Sequence, residues 1–417
     1  MFKKLFLFNL FSISLYGLTL QEAINTALER NPNIKAARYQ YLSSKEDYHA
    51  QIAKRFGEVN LFWNYIQYKY PRVVAPIQPP LNPSSLASDD QVRVYGFRYA
   101  VRLFDGCQQF FLIKAKGHTA DLYYTQFEDT AKSVERDVKK LYLSILAVKA
   151  KLKALRERKQ AVEELYKIVS NAYKLGKKPL LDLLNVKAEL KSVDAQISAT
   201  QAQVDKLKGE LAALLNINKP IEVEDVQIHP KRFEENQFMN RLLSQNLKLK
   251  EVKEQKKVAK DYERVALANF SPKVDFSYTS QKYVFAGKKI SDWSYTLAVS
   301  FPIFDFGNRY FQYKKARYME RKVTKLQEAV LKNILESYRS LIKNLNSQVD
   351  IIEANAQRLE FAKEAYKVEK EKYLTGKGDI YDLLKAEALY YTALGDYKAS
   401  IYQWGILKAE LDYLLGN

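Results

Sequence analysis

One stretch of this chain occurs twice: YKLGKKPLLDLLNVKAEL from Tyr173 to Leu190, and YLTGKGDIYDLLKAEALY from Tyr373 to Tyr390. Tyr173 and Tyr373, Gly176 and Gly376, Asp182 and Asp382, and Leu184 and Leu384 keep one constant separation. The correspondence extends to Phe104-Asp105 and Phe304-Asp305 before the stretch, and to Leu211, Leu214 and Leu215 against Leu411, Leu414 and Leu415 after it. Such self-similarity means two copies of one structural unit of about 200 residues. In each copy a glycine stands between two long segments of helical apolar period. Glycine adopts the left-handed conformation that ends many helices, and Pro179 cannot continue the incoming helix. Each copy therefore predicts a helical hairpin with a tight tip.

Outward from the tips, the first long helix runs from Gly106 to Leu175, with Val134, Val138, Leu141, Ile145, Val148, Leu152 and Leu155 on its apolar stripe. Its length is about 100 Å, whereas the return helix, residues 180–216, is only about 55 Å. A helix over residues 33–55 must cover the remainder, which puts residues 217–236 and both termini near mid-height. Residues 18–30 read as a short amphipathic helix that Asn31-Pro32 ends. The second copy repeats the plan, with one helix over residues 239–269, a long helix to Leu374 and a return helix to Leu415. The apolar residues from Val323 to Leu359 recur at about 3.6 positions, the period of an almost straight helix. Val186, Leu190, Val193, Ile197, Thr200, Val204, Leu207, Leu211 and Leu214 instead alternate fours and threes, the pattern of a left-handed coiled coil. The matching seam of the second return helix mixes small residues with aromatics: Ala386, Tyr390, Ala393, Tyr397, Ser400 and Trp404. An antiparallel coiled coil without a pore would satisfy these helices equally well.

Between the helices the period changes to two, over residues 59–70, 91–103, 274–285 and 293–303. Tyr95, Phe97, Tyr99, Val101 and Leu103 alternate with Val94, Gly96, Arg98, Ala100 and Arg102. Trp293, Tyr295, Leu297, Val299, Phe301 and Ile303 alternate with Ser294, Thr296, Ala298, Ser300 and Pro302. Residues 71–90 carry five prolines and predict a long loop without regular structure. The strands are long enough to cross the hydrocarbon core when tilted. Alternation of apolar and small or polar faces is the pattern of transmembrane barrels, with Arg98, Arg102, Thr296 and Ala298 facing the lumen. A soluble sheet whose aromatic face packs on its own core is the alternative. Four strands cannot close a membrane barrel, which takes about eight, and lipid tolerates no open edge. The chain must then oligomerise, and two or three copies would serve.

The net charge is +19, yet the cations are interspersed with acids and form no basic block, which favours solvated helices over nucleic-acid binding. Residues 1–17, MFKKLFLFNLFSISLYG, read as a signal peptide: two lysines precede an apolar run too short to span a membrane. Cys107 is the sole cysteine, so no intramolecular disulfide is possible. His49, His118 and His229 are isolated, with no metal-ligand spacing among them, and three methionines offer no relay for soft metals. No enzyme signature, cofactor or metal site is expected.

Four features together carry a family resemblance: LTLQEAINTALERNPNIKAA (residues 18–37), VRLFDGCQQFFLIKAK (residues 101–116), VSFPIFDFGNRYFQYKKA (residues 299–316) and the two Gly-x5-Asp tips. Along nearly its whole mature length the chain resembles the TolC-like outer-membrane efflux proteins. The resemblance implies a mainly α fold with β: a long-helix periplasmic α-barrel continuous with a transmembrane β-barrel, completed by trimerisation. It divides the chain into a signal peptide (1–17), a first repeat (18–216), an equatorial connector (217–237) and a second repeat (238–417). The homotrimer would be an exit duct in the outer membrane, docking a periplasmic adaptor at the tips and driven by an inner-membrane pump. By position, Gly176 and Gly376 fall in the docking region. Asp182 and Tyr373 match an acid–tyrosine bond that holds the entrance shut. An arginine of that lock falls at Gly378, and two acidic rings fall at Asp382 and Lys385, only the first of them acidic here. A bland reading has Asp182 and Asp382 merely favouring helix N-termini. One-step protein secretion, or a pore-free adhesive coiled coil of the envelope, are the other functions the pattern admits.

Overall fold

The computed structural model describes residues 17–77, 79 and 86–417, so the expected signal peptide lies outside the described residues apart from Gly17. In chain order the elements are α1 (Leu20–Arg30), α2 (Pro32–Ala53), β1 (Glu58–Val73), β2 (Ser88–Phe104), α3 (Gln108–Lys174), α4 (Leu180–Leu214), α5 (Met239–Gln245), α6 (Leu247–Ala268), β3 (Lys273–Phe285), β4 (Lys288–Ser300), α7 (Asn308–Leu374) and α8 (Ile380–Leu414). The duplication is kept in element length. The two long helices each have 67 residues and the two return helices each have 35.

Helix ends leave unpaired backbone groups, and one asparagine in each repeat supplies several of them. The Asn31 N–H donates to the Ala27 carbonyl and closes α1. Its side-chain oxygen accepts the Asn33 N–H at 2.9 Å, opening α2, and its amide donates to the Leu214 carbonyl at the end of α4 at 2.9 Å. In the second repeat Asn246 donates to the Leu414 carbonyl at the end of α8 at 2.8 Å. The single helix expected over residues 239–269 is accordingly broken at Asn246 into α5 and α6. No proline marks this break, because Leu247 stands where the first repeat has Pro32. The need to cap a distant helix end decides it.

The four strands form one antiparallel sheet in the order β1-β2-β3-β4. Residues paired across strands share a face. The register groups Val59, Leu61, Trp63, Phe97, Tyr99, Phe276, Tyr278, Tyr295, Leu297 and Val299 on one face. The other face holds Asn60, Arg98, Arg102, Asp275, Ser277, Thr279, Ser294, Thr296 and Ala298 at one end, and Phe62, Val94, Tyr283 and Ile290, part of an apolar cluster, at the other. The apolar face is uncovered: Leu61 is 86% exposed, Tyr295 68% and Val299 69%. It packs on no core of its own, which removes the soluble-sheet reading.

Three strand expectations need correction. β4 begins at Lys288 and stops at Ser300, rather than spanning residues 293–303, since Pro302 has no N–H for a ladder. β1 continues through Pro71 to Val73, across a register shift after Gln67. An edge strand accommodates proline there, and β1 is an edge. The proline-rich loop is also shorter and less exposed than expected: Val74 and Ala75 are buried beside Val92, Val94 and Phe285. Part of that loop, residues 78 and 80–85, lies outside the described residues. β3 and β4 meet at Ala286-Gly287, both at positive φ (43° and 74°), the geometry of a two-residue hairpin turn.

By packing, the chain divides into two compact units that cut across the repeats. One comprises the described residues of 1–37, with 127–247 and 331–417. Its largest core joins Ala23, Ile24 and Ala27 of α1 to Val138, Tyr142 and Ile145 of α3, Leu211 of α4, and Ile221 and Val223 of the connector. There the Tyr142 hydroxyl lies 2.7 Å from the Leu18 carbonyl and 2.9 Å from that of Glu224, tying the connector down. The other unit comprises residues 38–126 and 248–330 and contains the sheet. Among the described residues no helix is long and apolar enough to cross a membrane.

The two sheet faces predict opposite tolerance to charge. Leu297→Arg places a guanidinium on the apolar face and costs about 2–4 kcal/mol if that position lies mid-membrane. Thr296→Arg, one residue away on the polar face, is expected to insert and assemble normally. Heat-modifiable gel mobility of outer-membrane fractions compares them, and equal assembly of both variants would refute the assignment of faces.

Candidate entrance at the helical tips

Both hairpins turn through the same hydrogen-bonded motif. At the first tip Lys177 N–H reaches the Ala172 carbonyl at 2.8 Å and Gly176 N–H reaches Tyr173 at 2.9 Å. At the second, Lys377 reaches Lys372 at 2.8 Å and Gly376 reaches Tyr373 at 3.2 Å. The motif needs a left-handed residue after the helix, and Gly176 and Gly376 supply it with φ of 65° and 77°. A Cβ at either glycine would meet nothing within 4 Å among the described residues, so both tips are open to a partner.

Beyond the tips, α4 and α8 start differently. Pro179 is the N-cap of α4 and makes no side-chain cap, whereas Asp379 caps α8 by accepting the Tyr381 N–H at 2.6 Å. Asp182 and Asp382 both lie in first turns, but in the second repeat the capping bond belongs to Asp379. The half-buried Asp182 instead accepts a hydrogen bond from the Tyr373 hydroxyl at 2.9 Å. That bond joins the first return helix to the second long helix. Tyr373 is buried with Val162, Leu165 and Val169 of α3, Val186 of α4, and Ile380, Leu383 and Leu384 of α8. Burial, and then the bond to Asp182, hold its hydroxyl well above the usual tyrosine range.

Lys178 Nζ sits 3.9 Å from the centre of the Tyr373 ring, close enough for a cation–π attraction. Gly378, the counterpart of Lys178, stands where the resemblance expects an arginine. A Cβ there would lie 2.9 Å from Lys372 Cβ and 3.0 Å from the Tyr373 nitrogen. No side chain fits that position without a shift, and the positive charge beside Tyr373 comes from the other repeat. Asp382 and Lys385 are exposed on α8 and stand apart from this contact. Arg98, Arg102, Thr296 and Ala298 are brought together on the polar face of the sheet. With Asp275 and Ser277 they line a concavity of about 530 Å³. There Arg102 Nε pairs with Asp275 at 2.8 Å.

Apolar periodicity does not single out Glu387. This residue is 1% exposed, and its Oε1 has no hydrogen-bond partner among the described residues. Around it stand Arg158 of α3, Glu189 of α4, and Lys370 and Tyr366 of α7, with Tyr391 on its own helix. Arg158 is itself buried and gives a guanidinium N–H to Glu189. Burial pushes the Glu387 carboxyl up to about 7, against the opposing pull of Arg158. A clue was present: the equivalent position of the first repeat is Lys187, a charge reversal within a duplicated stretch.

Duplicated helical hairpins, with a sheet apolar on its uncovered face and polar along much of the other, define an outer-membrane channel subunit. The chain belongs to the outer membrane efflux protein family, whose sequence model matches residues 23–216 and 238–417. It is thus an outer-membrane efflux channel protein rather than an enzyme, and the pore-free adhesive reading falls away. No curated protein matches the chain. Among solved structures, it is similar to the outer membrane protein VceC of Vibrio cholerae, with 15% identity and a TM-score of 0.80 over 95% of this chain and 96% of that one. The CmeC outer membrane channel of Campylobacter jejuni matches at 15% identity and a TM-score of 0.77, over 95% and 85%. The open state of the MtrE channel of Neisseria gonorrhoeae matches at 17% identity and 0.80, over 95% and 89%. At these identities the likeness is one of fold.

The burial of Glu387 predicts a pH dependence with a definite sign. Its ordinary value is 4.5 and its folded value is about 7, so between them the folded chain keeps a proton that the unfolded chain releases. Stability contributed here is full below pH 4.5, falls as pH rises, and is lost above 7. The loss amounts to roughly 3 kcal/mol per chain. Glu387→Gln is expected to abolish it. Hydrogen exchange of the α8 amides at pH 5 and pH 8, in wild type and variant, measures the difference.

Proposed function

We propose that the chain is the outer-membrane duct of a tripartite efflux assembly, acting as a homotrimer. Three sheets would close one barrel of twelve strands, and the hairpins would form a periplasmic α-barrel ending in an entrance at the tips. One observation carries the reading: the sheet has four strands, two unpaired edges and an uncovered apolar face. Lipid tolerates that face but not those edges. Arg98, Arg102, Thr296 and Ala298 would line the lumen. Gly176 and Gly376 would dock a periplasmic adaptor, itself coupled to an inner-membrane pump. Asp382 and Lys385 would face the entrance with opposite charges, which argues against a strongly cation-selective ring.

In this reading the bond between Tyr373 and Asp182, with Lys178 over the ring, is the closed latch. Opening is a shift of the second hairpin away from the first. The seam residues Ala386, Ala393 and Ser400 are buried and small, and bury less apolar area than Val186, Val193 and Val204. Gly395 has a further consequence. A Cβ there would lie 3.3 Å from Lys151 Cα, so α8 runs close to α3, where Lys151 also pairs with Asp396 at 3.1 Å. That ion pair must break together with the latch.

Two experiments test the reading. Gly376→Trp, strained by its positive φ and projecting into open space, is expected to assemble and insert normally yet lose export. Normal export by an assembled variant would exclude the tips as the docking site. Cysteine pairs joining the lower ends of the two hairpins, in a Cys107→Ser background, are expected to stop transport when cross-linked and to restore it on reduction. Full transport under complete cross-linking would show that the second hairpin is not the gate.

A further inference from the structure

His118 of α3 faces three carboxylates. Asp121 Oδ2, one turn along the same helix, lies 3.7 Å from its Nδ1, and Glu254 Oε2 of α6 lies 3.6 Å from the same nitrogen. Asp261 Oδ2, also of α6, lies 3.6 Å from Nε2. The ligand atoms of His118, Asp121 and Glu254 all lie within 4.8 Å of one another. These separations exceed hydrogen-bond length, which ends near about 3.2 Å. His118 Nδ1 and Glu254 Oε2 are closed off from solvent and have no hydrogen-bond partner among the described residues. A buried nitrogen and a buried carboxylate oxygen thus point at each other across a gap.

The two spacings from Nδ1 are close to those around a bound ion. Bonds of about 2.0–2.2 Å in a tetrahedral site put neighbouring ligand atoms about 3.3–3.6 Å apart. We propose that His118 Nδ1, Asp121 Oδ2 and Glu254 Oε2 bind a divalent transition-metal ion of the zinc class, stapling α3 to α6. Three protein ligands leave the fourth position to water. One imidazole and two carboxylates form a borderline-hard donor set, which suits zinc and is wrong for a thiophilic ion such as copper(I).

The remaining polar groups are consistent with this assignment. Glu254 Oε1 is held by Lys257 at 2.7 Å, which leaves Oε2 as the free donor. Asp261 is almost wholly buried and is oriented by Arg264 at 3.3 Å. It faces the imidazole nitrogen remote from the ion, the place of the carboxylate that fixes the tautomer of a metal-bound histidine. The proton then stays on Nε2, and Nδ1 keeps its lone pair for the metal. The partners of His118 are an acid one helical turn on and two acids of the second repeat, which only the packing of α3 on α6 brings to it.

The competing account is a plain ion pair, with a protonated imidazole among the carboxylates. Zinc titration of the full-length protein in detergent, after chelator stripping and against a chromophoric chelator, separates the two. One zinc per chain is expected at micromolar concentration, with X-ray absorption showing one imidazole among oxygen ligands. His118→Ala or Glu254→Gln is expected to weaken binding more than tenfold, and Asp261→Asn roughly 10- to 100-fold. His49→Ala and His229→Ala are expected to change nothing. No saturable zinc binding by the wild-type protein overturns the proposal, as do sulfur or several imidazoles in the absorption spectrum. So does an affinity that an assembled His118→Ala variant leaves intact. The wild-type stoichiometry and spectrum decide the matter even where a variant fails to assemble.

Discussion

A strand whose side chains face lipid cannot leave its backbone unpaired, because no water is there to accept its N–H groups or donate to its carbonyls. This constraint governs the whole chain. One copy supplies four strands with an outward apolar face and two free edges. Such a sheet is incomplete by itself, and the proposed trimer is the arrangement that completes it. The constraint also shows in smaller details. Pro71, which cannot donate, falls beyond the register shift in an edge strand, and Pro302 falls just past the end of β4.

Duplication supplies the parts, and divergence between the copies supplies the asymmetry on which the proposed gate rests. The long and return helices keep their lengths to the residue, whereas the tips differ in chemistry. Lys178 faces Gly378, Pro179 faces Asp379, and Lys187 faces Glu387. Two of these differences act between the repeats, whereas Asp379 caps its own helix. Lys178 of the first reaches the ring of Tyr373 of the second. Glu387 of the second lies among Arg158 and Glu189 of the first. A strictly symmetric pair of hairpins would have no preferred one to move.

Two acidic clusters show how the same side chains serve different ends. Around Glu387 an arginine stands nearby and burial dominates, so the carboxyl holds a proton near neutrality. Around His118 the acids belong to different helices, and the imidazole Nδ1 faces two of them at 3.7 and 3.6 Å, the spacing on which the proposed ion site rests. Distance and solvent access, more than residue type, separate a proton site from a metal site.

Periodicity determined most of the architecture from sequence alone. A repeat of about 3.6 or 3.5 specifies helices and their apolar stripes, and a repeat of two specifies strands and their faces. Glycine after a long helix marks a turn, because few other residues tolerate positive φ there. These are local rules, so both hairpins, the strand faces and the duplication were legible from side-chain order. Positional matching to the family also placed the pair Asp182 and Tyr373. The tertiary structure decided what depends on residues far apart in the chain. The break at Asn246 exists because the end of α8 needs a donor. Val74 and Ala75 are buried because Phe285, more than two hundred residues later, packs beside them. The placement of Lys178 over the Tyr373 ring, the buried Glu387 and the carboxylates around His118 likewise arise from helix packing. Sequence order specifies the face a side chain occupies, but only the packed chain specifies what that face meets.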